Sequence, residues 1–443
     1  MMKKFLKMFG ITFFALCYLF AVSACGAGYG DKGGGYGAYG DAAAGGETGS
    51  DDATDDDIID DSGTDSEKED VVQKPAGLIT AGAWNDNDNY QDWLDLFMQA
   101  EEEKGKAGKF FEYSKGEKAW GFNSCQRVKV TVKQGGKVVA GAKVYLKDAL
   151  NNVVFEAVAD ANGVAYLFSD LERGKIEAFG GNAAAAVDFT SENKDVTVDI
   201  GALAYAEKKN IIELMFVVDV TGSMGDELGF LNNEIADVVN QVALADSETQ
   251  INLALLFYRD YSDKEDFVYY DFVDVTTEEG LEIQQKAIAA QNASGGGDYP
   301  EAVEDALSQA VSKQWSNGAT TKILFQILDA PPHSGEINRR NFNAAVMEAT
   351  KKGIRICPVL CSGAEILTEY VMRQAAIYTG GTFVFVTDDS GIGNPHHDPQ
   401  LPNVTVEALN SLMVRLINGY HSGEFAEPID WRQEVKEDED TKA

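Results

Sequence analysis

Several short stretches of the chain gather oxygen-bearing side chains at spacings that suit a hard cation. In "DVTGSM", Asp219, Thr221 and Ser223 alternate, so an extended backbone directs all three toward one side. Gly222 and Gly225 let the loop turn tightly before a helix begins. Mg²⁺ takes six oxygens at about 2.1 Å, and short carboxylate and hydroxyl side chains supply them. Asp329 in "ILDAPPH" follows another apolar run directly, and the glycine-rich "ASGGGDYPEA" offers Asp298, with Ser294 as the alternative. "YRDYSD" places Arg259, Asp260 and Asp263 near the same face. Arg259, Asp260 and His333 are expected on its rim. "TDDSGIGNPHHDP" collects Asp388, Asp389, His396, His397 and Asp398, but the spacing matches no metal motif and reads as a polar surface loop.

Catalysis is not expected. The four histidines lie in loops or beside the terminal helix, and HExxH is absent. "SGGGDYPE" lacks the Lys-Ser/Thr that ends a phosphate-binding loop. The nearest approach to a GxSxG elbow is "VTGSMGDE", whose serine is assigned to the cation.

These residues need strands to present them. "IIELMFVVDV", "INLALLFYRD", "KILFQILDA" and "IRICPVL" are near-continuous apolar runs, as in strands buried on both faces of a mostly parallel sheet. Helical stretches such as "DELGFLNNEIADVVNQVALA", "YPEAVEDALSQAVSKQW" and "RRNFNAAVMEATKKG" separate them, and "VEALNSLMVRLINGY" closes the series. The expectation over 205–424 is a doubly wound, Rossmann-like α/β domain whose ligands collect beyond the carboxyl ends of the strands. "DVTGSM" sits at that end.

Asp219, Thr221 and Ser223 form the D-x-[ST]-x-S pattern, and here the chain resembles the von Willebrand factor A (VWA) domain with its metal-ion-dependent adhesion site. The resemblance implies a divalent cation, Mg²⁺ or else Mn²⁺ or Ca²⁺, held by Asp219, Thr221, Ser223, a second-loop residue and Asp329. One coordination position stays open for an acidic side chain of a partner protein. The family usually has a threonine in the second loop, where this chain offers Asp298. A further carboxylate tightens the hold on the cation and weakens its pull on a partner's acid. Bacterial members resemble this chain in "GGGDxPE" and "DAPPH".

Upstream, residues 119–204 alternate apolar and polar, broken by "QGG", "NN" and "ANG", which predicts a small all-β sandwich. "AGAKVYLKD" and "ADANGVAYLF" resemble the carboxypeptidase-regulatory, transthyretin-like module, implying a spacer or platform. Within 75–118, Tyr90, Trp93, Leu94, Phe97 and Met98 recur at helical spacing. They predict a short amphipathic helix capped by Asp88 or Asn89 and docked on a neighbouring domain, and "DNDN" reads as a turn.

Residues 26–74 are Gly-rich and then acidic, and are expected to be a disordered tether; 425–443 read as an acidic tail. Residues 1–25 have a basic start, a short apolar stretch and "AVSAC", which resembles a bacterial lipobox with Cys25 as the lipidated residue. Only Cys125, Cys357 and Cys361 then remain, so no disulfide scaffold is expected. A formal net charge of −35 argues against nucleic acid and anionic lipid headgroups as partners of the bulk surface. No small-molecule substrate is expected. The expectation is a lipid-anchored envelope protein, with the outer membrane favoured, that binds a protein partner through its cation. The alternative is an envelope scaffold or motility component in which the metal only stabilises the fold.

Overall fold

The computed structural model describes residues 77–98, 109–201, 209–245, 248–261, 263, 266–297, 299–317, 320–393 and 395–433. The 1–25 signal, Cys25 and the 26–74 tether lie outside the described residues, as does Asp298.

The chain begins with β1 (Thr80–Trp84) and α1 (Tyr90–Asp95). Eight strands follow: β2 (Arg127–Gln134), β3 (Lys137–Val138), β4 (Lys143–Lys147), β5 (Val153–Val158), β6 (Val164–Phe168), β7 (Arg173–Gly180), β8 (Ala183–Thr190) and β9 (Asp195–Asp199). Strands and helices then alternate: β10 (Ile211–Asp219), α2 (Gly225–Ala245), β11 (Gln250–Tyr258), β12 (Phe267–Asp274), α3 (Glu278–Ala289), α4 (Val303–Ser312), β13 (Thr321–Leu328), α5 (Glu336–Lys352), β14 (Ile354–Leu360), α6 (Ile366–Thr379), β15 (Phe383–Val386), β16 (Glu407–Ala408) and α7 (Leu409–Ser422).

The large sheet runs β12-β11-β10-β13-β14-β15-β1-β16. All eight residues of β13 are buried, because helices cover both faces. On one face Leu231, Ile235 and Val239 of α2 and Leu412 and Leu416 of α7 pack onto Leu214, Phe216 and Phe325. On the other, Leu307 of α4, Phe342 and Val346 of α5, and Val371 of α6 pack onto Met215, Val217 and Leu324. The sheet is mixed and not mostly parallel. β10, β11, β13, β14 and β15 are parallel neighbours, while β12, β1 and β16 run antiparallel to theirs. The physical reason is connection length. β12 returns from β11 through a short loop that cannot hold a crossover helix. β1 arrives from far upstream and runs against β15.

β1 also corrects the reading of 75–118, which placed only a helix there. The helix α1 exists but spans six residues, with Asn89 at its N-cap making no side-chain cap bond. Strand β1 joins the main sheet at Ala81↔Val386 and Trp84↔Phe383. Gly82 lets the Phe385 ring pack against the strand, since a Cβ there would lie 2.5 Å from that ring and displace it. The incoming backbone is gripped by Glu234 of α2, whose carboxylate accepts from the amides of Gly77 (2.8 Å) and Leu78 (3.1 Å). After β1, Asp86 does more than turn the chain. Its carboxylate takes Nε and Nη2 of Arg373 at 2.9 and 2.6 Å, while Nη1 meets Glu369 at 2.7 Å, all three side chains buried. Trp93, Phe110 and Tyr370 close over this network edge to face.

Residues 127–199 form two four-stranded sheets, β3-β2-β6 with β9 beside β2, and β5-β4-β7-β8. Val128, Val130 and Val132 from one and Val144, Leu146 and Ile176 from the other lie in one core. Asn151 in the "NN" turn takes a left-handed φ of 68°. These sheets sit at the amino ends of the large sheet's strands. Thr350 Oγ1 bonds the Glu156 carbonyl at 2.9 Å, and Asn162 bonds that of Gly423 at 2.8 Å. The carboxyl ends are left clear. Cys125, Cys357 and Cys361 are free thiols.

Asp86→Ala removes the bidentate partner of a fully buried guanidinium. It should destabilise the protein by about 3–5 kcal/mol, read as a lowered urea midpoint. An unchanged midpoint would show that Glu369 alone suffices.

Candidate metal centre

Three loops converge where β10, β11 and β13 end. β10 delivers Asp219 fully buried, and the backbone stays extended at Thr221 (φ −68°, ψ 167°) before α2 starts. Asp219 Oδ1 accepts from the Thr221 amide (2.9 Å) and hydroxyl (2.7 Å), and Ser223 Oγ lies 3.2 Å from Thr221 Oγ1. The Asp329 carboxylate, whose charged form is favoured by Ser223, emerges directly after β13 and is 3% exposed. The sequence therefore brings Asp219, Thr221, Ser223 and Asp329 together.

The glycine-rich second loop is stitched to the first by Gly222 N to Gly295 O (3.1 Å) and Ser294 N to Val220 O (3.0 Å). Gly296, at φ +74°, has no room for a side chain: a Cβ would lie 2.9 Å from Glu301 Oε1 and 3.1 Å from Thr221 Cβ. Ser294 contributes its backbone to this stitching, and its residue is exposed.

Two of the three rim residues are buried beside the loops and not exposed on the rim. Arg259 is buried, and its guanidinium donates to the carbonyls of Ser294 (2.9 Å) and Asn292 (3.0 Å). A glycine-rich loop has few side chains to satisfy its own carbonyls, so the neighbouring arginine is drawn inward to do so. Asp260 is buried beside it. Asp263 completes the brace, accepting from the amides of Gly296 (2.8 Å) and Asp260 (3.2 Å). His333 stays at the face, its ring 3.6 Å from Asp260 Oδ1, 3.4 Å from Glu304 Oε1 and 4.8 Å from the Tyr261 ring. His396 and His397 hold no shared site. His396 spans Glu227 (3.0 Å) and Asp388 (2.7 Å), and His397 meets Glu369 at 2.8 Å, so the loop is pinned to the domain by imidazole–carboxylate hydrogen bonds.

One residue of the site escaped the sequence. Glu301, following the proline of "DYPE", is 4% exposed, and its amide bonds the Pro331 carbonyl at 3.2 Å. Burial first, then the charges of Asp219, Asp260, Asp329 and Asp263, push its carboxyl to about 9. Asp219 and Asp329 are also raised, mainly by burial, with Asp329 adding to the shift at Asp219. Tyr258 beneath them is raised by burial and then by both aspartates.

Asp219 Oδ2, Asp329 Oδ1 and Glu301 Oε2 are buried without a hydrogen-bond donor. Among the described residues no three His, Cys, Asp or Glu side chains are grouped to hold a metal ion by themselves. The donors on offer are mixed: two carboxylates with bare oxygens and the hydroxyls of Thr221 and Ser223. A hard divalent cation fits that set, because it neutralises the buried charge and needs only oxygen ligands.

An α/β sheet with hydroxyl and carboxylate loops at its carboxyl end defines the class of the domain. Residues 213–387 match the family model described as von Willebrand factor A domain, and this part of the chain is such a domain. Over 140 residues the chain is 30% identical to the putative ariadne-like RING finger protein R811 of Acanthamoeba polyphaga mimivirus, which covers 31% of this chain and 13% of that protein. Among solved structures, the pilus adhesin SpaC of Lactobacillus rhamnosus GG in its open conformation is 10% identical at a TM-score of 0.33, covering 67% of this chain and 35% of SpaC. The conserved hypothetical protein BatB of Bacteroides thetaiotaomicron is 14% identical at 0.27, covering 52% of this chain and 98% of BatB. The chain thus spans only a small part of R811 and about a third of SpaC.

A carboxyl group whose folded pKa exceeds its unfolded value binds its proton more tightly in the native state. Stability is then lost as pH rises from near 4.5 toward about 9, the range over which buried Glu301 holds its proton only in the folded state. Chelator-treated protein should therefore melt lower at pH 8 than at pH 5.5. Asp329→Asn should raise its midpoint at pH 8 by about 3 °C, the shift that roughly 1 kcal/mol produces in a domain of about 200 residues. Equal melting of variant and parent at pH 8 would refute the strain.

Proposed function

We propose that the VWA domain binds a protein partner through a divalent cation held at the carboxyl end of its sheet. One observation carries the reading: the buried, donorless oxygens of Asp219 and Asp329 face the same loops as the hydroxyls of Thr221 and Ser223. Mg²⁺, or Mn²⁺ or Ca²⁺ in its place, supplies Lewis acidity toward an oxygen ligand from outside. The chain's own residues do the rest. Thr221 orients Asp219 by donating its hydroxyl and amide. Ser223 links the first loop to Asp329. Arg259 and Asp263 fix the second loop through its carbonyls and amides. Asp298, which follows the glycines of that loop in the sequence, is proposed as the second-loop donor. The proposed function is binding and not catalysis, because the hydroxyls of Thr221 and Ser223 are assigned to the cation together with Asp219 and Asp329.

The charge pattern supports a protein partner over nucleic acid, which −35 would repel. Lipidation at Cys25 and an outer-membrane location belong to the same proposal, supported by "AVSAC". No helix among the described residues is long and apolar enough to cross a membrane.

Calorimetric titration with Mg²⁺, Mn²⁺ and Ca²⁺ tests the reading. One site per chain is expected, lost in Asp219→Ala and weakened at least tenfold in Thr221→Ala. A variant Asp219→Ala that still binds cation with parental affinity would overturn it.

A further inference from the structure

What surrounds the cation position is as distinctive as the position itself. Large apolar residues are exposed on the same face: Tyr261 at 43%, Tyr299 at 46% and Ile337 at 67%. Tyr261 is held by its polar end, donating to Glu304 at 2.6 Å and meeting Asn338 Nδ2 at 3.4 Å, while its ring lies against His333. Ile337 stands beside Asn338 in the first turn of α5. Tyr299, just ahead of Glu301 in the second loop, places its hydroxyl 3.4 Å from Thr368 Oγ1 of α6. Rings anchored by their hydroxyls are preorganised contact surfaces, because little side-chain freedom remains to be lost on binding.

The charge around them is mostly negative. Asp219, Asp260, Asp263, Glu301, Glu304 and Asp329 converge here. The arginine among them, Arg259, donates inward to backbone carbonyls. A single divalent cation leaves the face negative even with Glu301 protonated. A partner's first carboxylate is drawn by the cation, and a second one beside it meets only repulsion. A basic neighbour finds Asp263, which is only part-buried, within reach.

Resting on the cation-binding reading, we infer that the partner presents one carboxylate flanked by an apolar and a basic residue. The apolar side chain seats on Tyr261 and Ile337, the basic one lies toward Asp263, and acidic tracts are rejected. The cation sets that a carboxylate is needed; the rim sets which one is accepted.

The test uses the full chain in Mg²⁺ against immobilised synthetic peptides with a central Asp and systematically varied flanks, beside a Mn²⁺ titration. Binding should concentrate on peptides with Lys or Arg on one side and Phe or Leu on the other, and vanish when the central Asp becomes Asn. Ile337→Ser, at an exposed position that does not threaten folding, and Tyr261→Ala should each weaken the best peptide about fivefold, as losing one apolar anchor does. Both should leave the Mn²⁺ titration unchanged. Equal binding of Asp-Asp-Asp peptides, or rim variants that bind like the parent, overturns the inference. Intact Mn²⁺ binding with no peptide bound overturns it alone and spares the cation. Absence of Mn²⁺ binding, or peptide binding that survives chelator, removes the cation reading and this inference with it.

Discussion

Uncompensated negative charge at one end of a sheet governs this structure. Asp219, Asp329, Glu301, Asp260 and Glu227 are all buried there, and each keeps one carboxylate oxygen without a donor. Burying an ionised carboxylate is costly unless it is paired, so the local fold is a set of partial answers. Thr221 serves Asp219, Ser362 N (2.8 Å) and His396 serve Glu227, and burial pushes the Glu301 carboxyl up to about 9. None of these completes the pairing at Asp219 and Asp329. On the proposed reading an external cation is the remaining partner.

Such a site needs rigid loops, since carboxylates that repel would otherwise separate. Rigidity comes from neighbours that never face a ligand. Arg259 and Asp263 grip the glycine loop by its backbone, and His396 ties Asp388 to Glu227. On the flank of the sheet, Glu234 of α2 holds the incoming chain by its amides, so the helix that starts at Gly225 is fixed to β1. The upstream segment is therefore part of the VWA sheet. The paired sheets of 127–199 are inserted between β1 and β10 and pack at the opposite pole.

Much of this was legible in the sequence, and the failures share a cause. The apolar runs of β10, β11, β13 and β14 announce themselves because strands buried on both faces have no polar alternative. That Asp219, Thr221, Ser223 and Asp329 come together was legible because they sit at fixed offsets from those runs. β1 was missed because "TAGAW" has small residues where a strand usually has branched ones. Its smallness is imposed by Phe385, some 300 positions away in sequence, and no local pattern reports that. Arg259 was misplaced for the same kind of reason. An arginine after a strand reads as exposed until the carbonyls of a glycine loop claim it. Glu301 hid in "DYPE" as an ordinary helix-start acid; the signal was its place after a glycine-rich loop that already carried an aspartate.

The excess charge also ties affinity to selectivity. Each added carboxylate near the cation holds it more firmly and lowers the positive field an incoming acid can feel. On the proposed reading, a site with aspartate at position 298 attracts a partner's carboxylate less than a site with a neutral threonine would. The shortfall has to be met by contacts that do not depend on charge. The exposed rings of Tyr261 and Tyr299 and the side chain of Ile337 are the groups on that face able to supply them. Apolar burial at the rim is thus the counterpart of carboxylate crowding at the centre, and a partner that satisfied only one of the two would bind weakly.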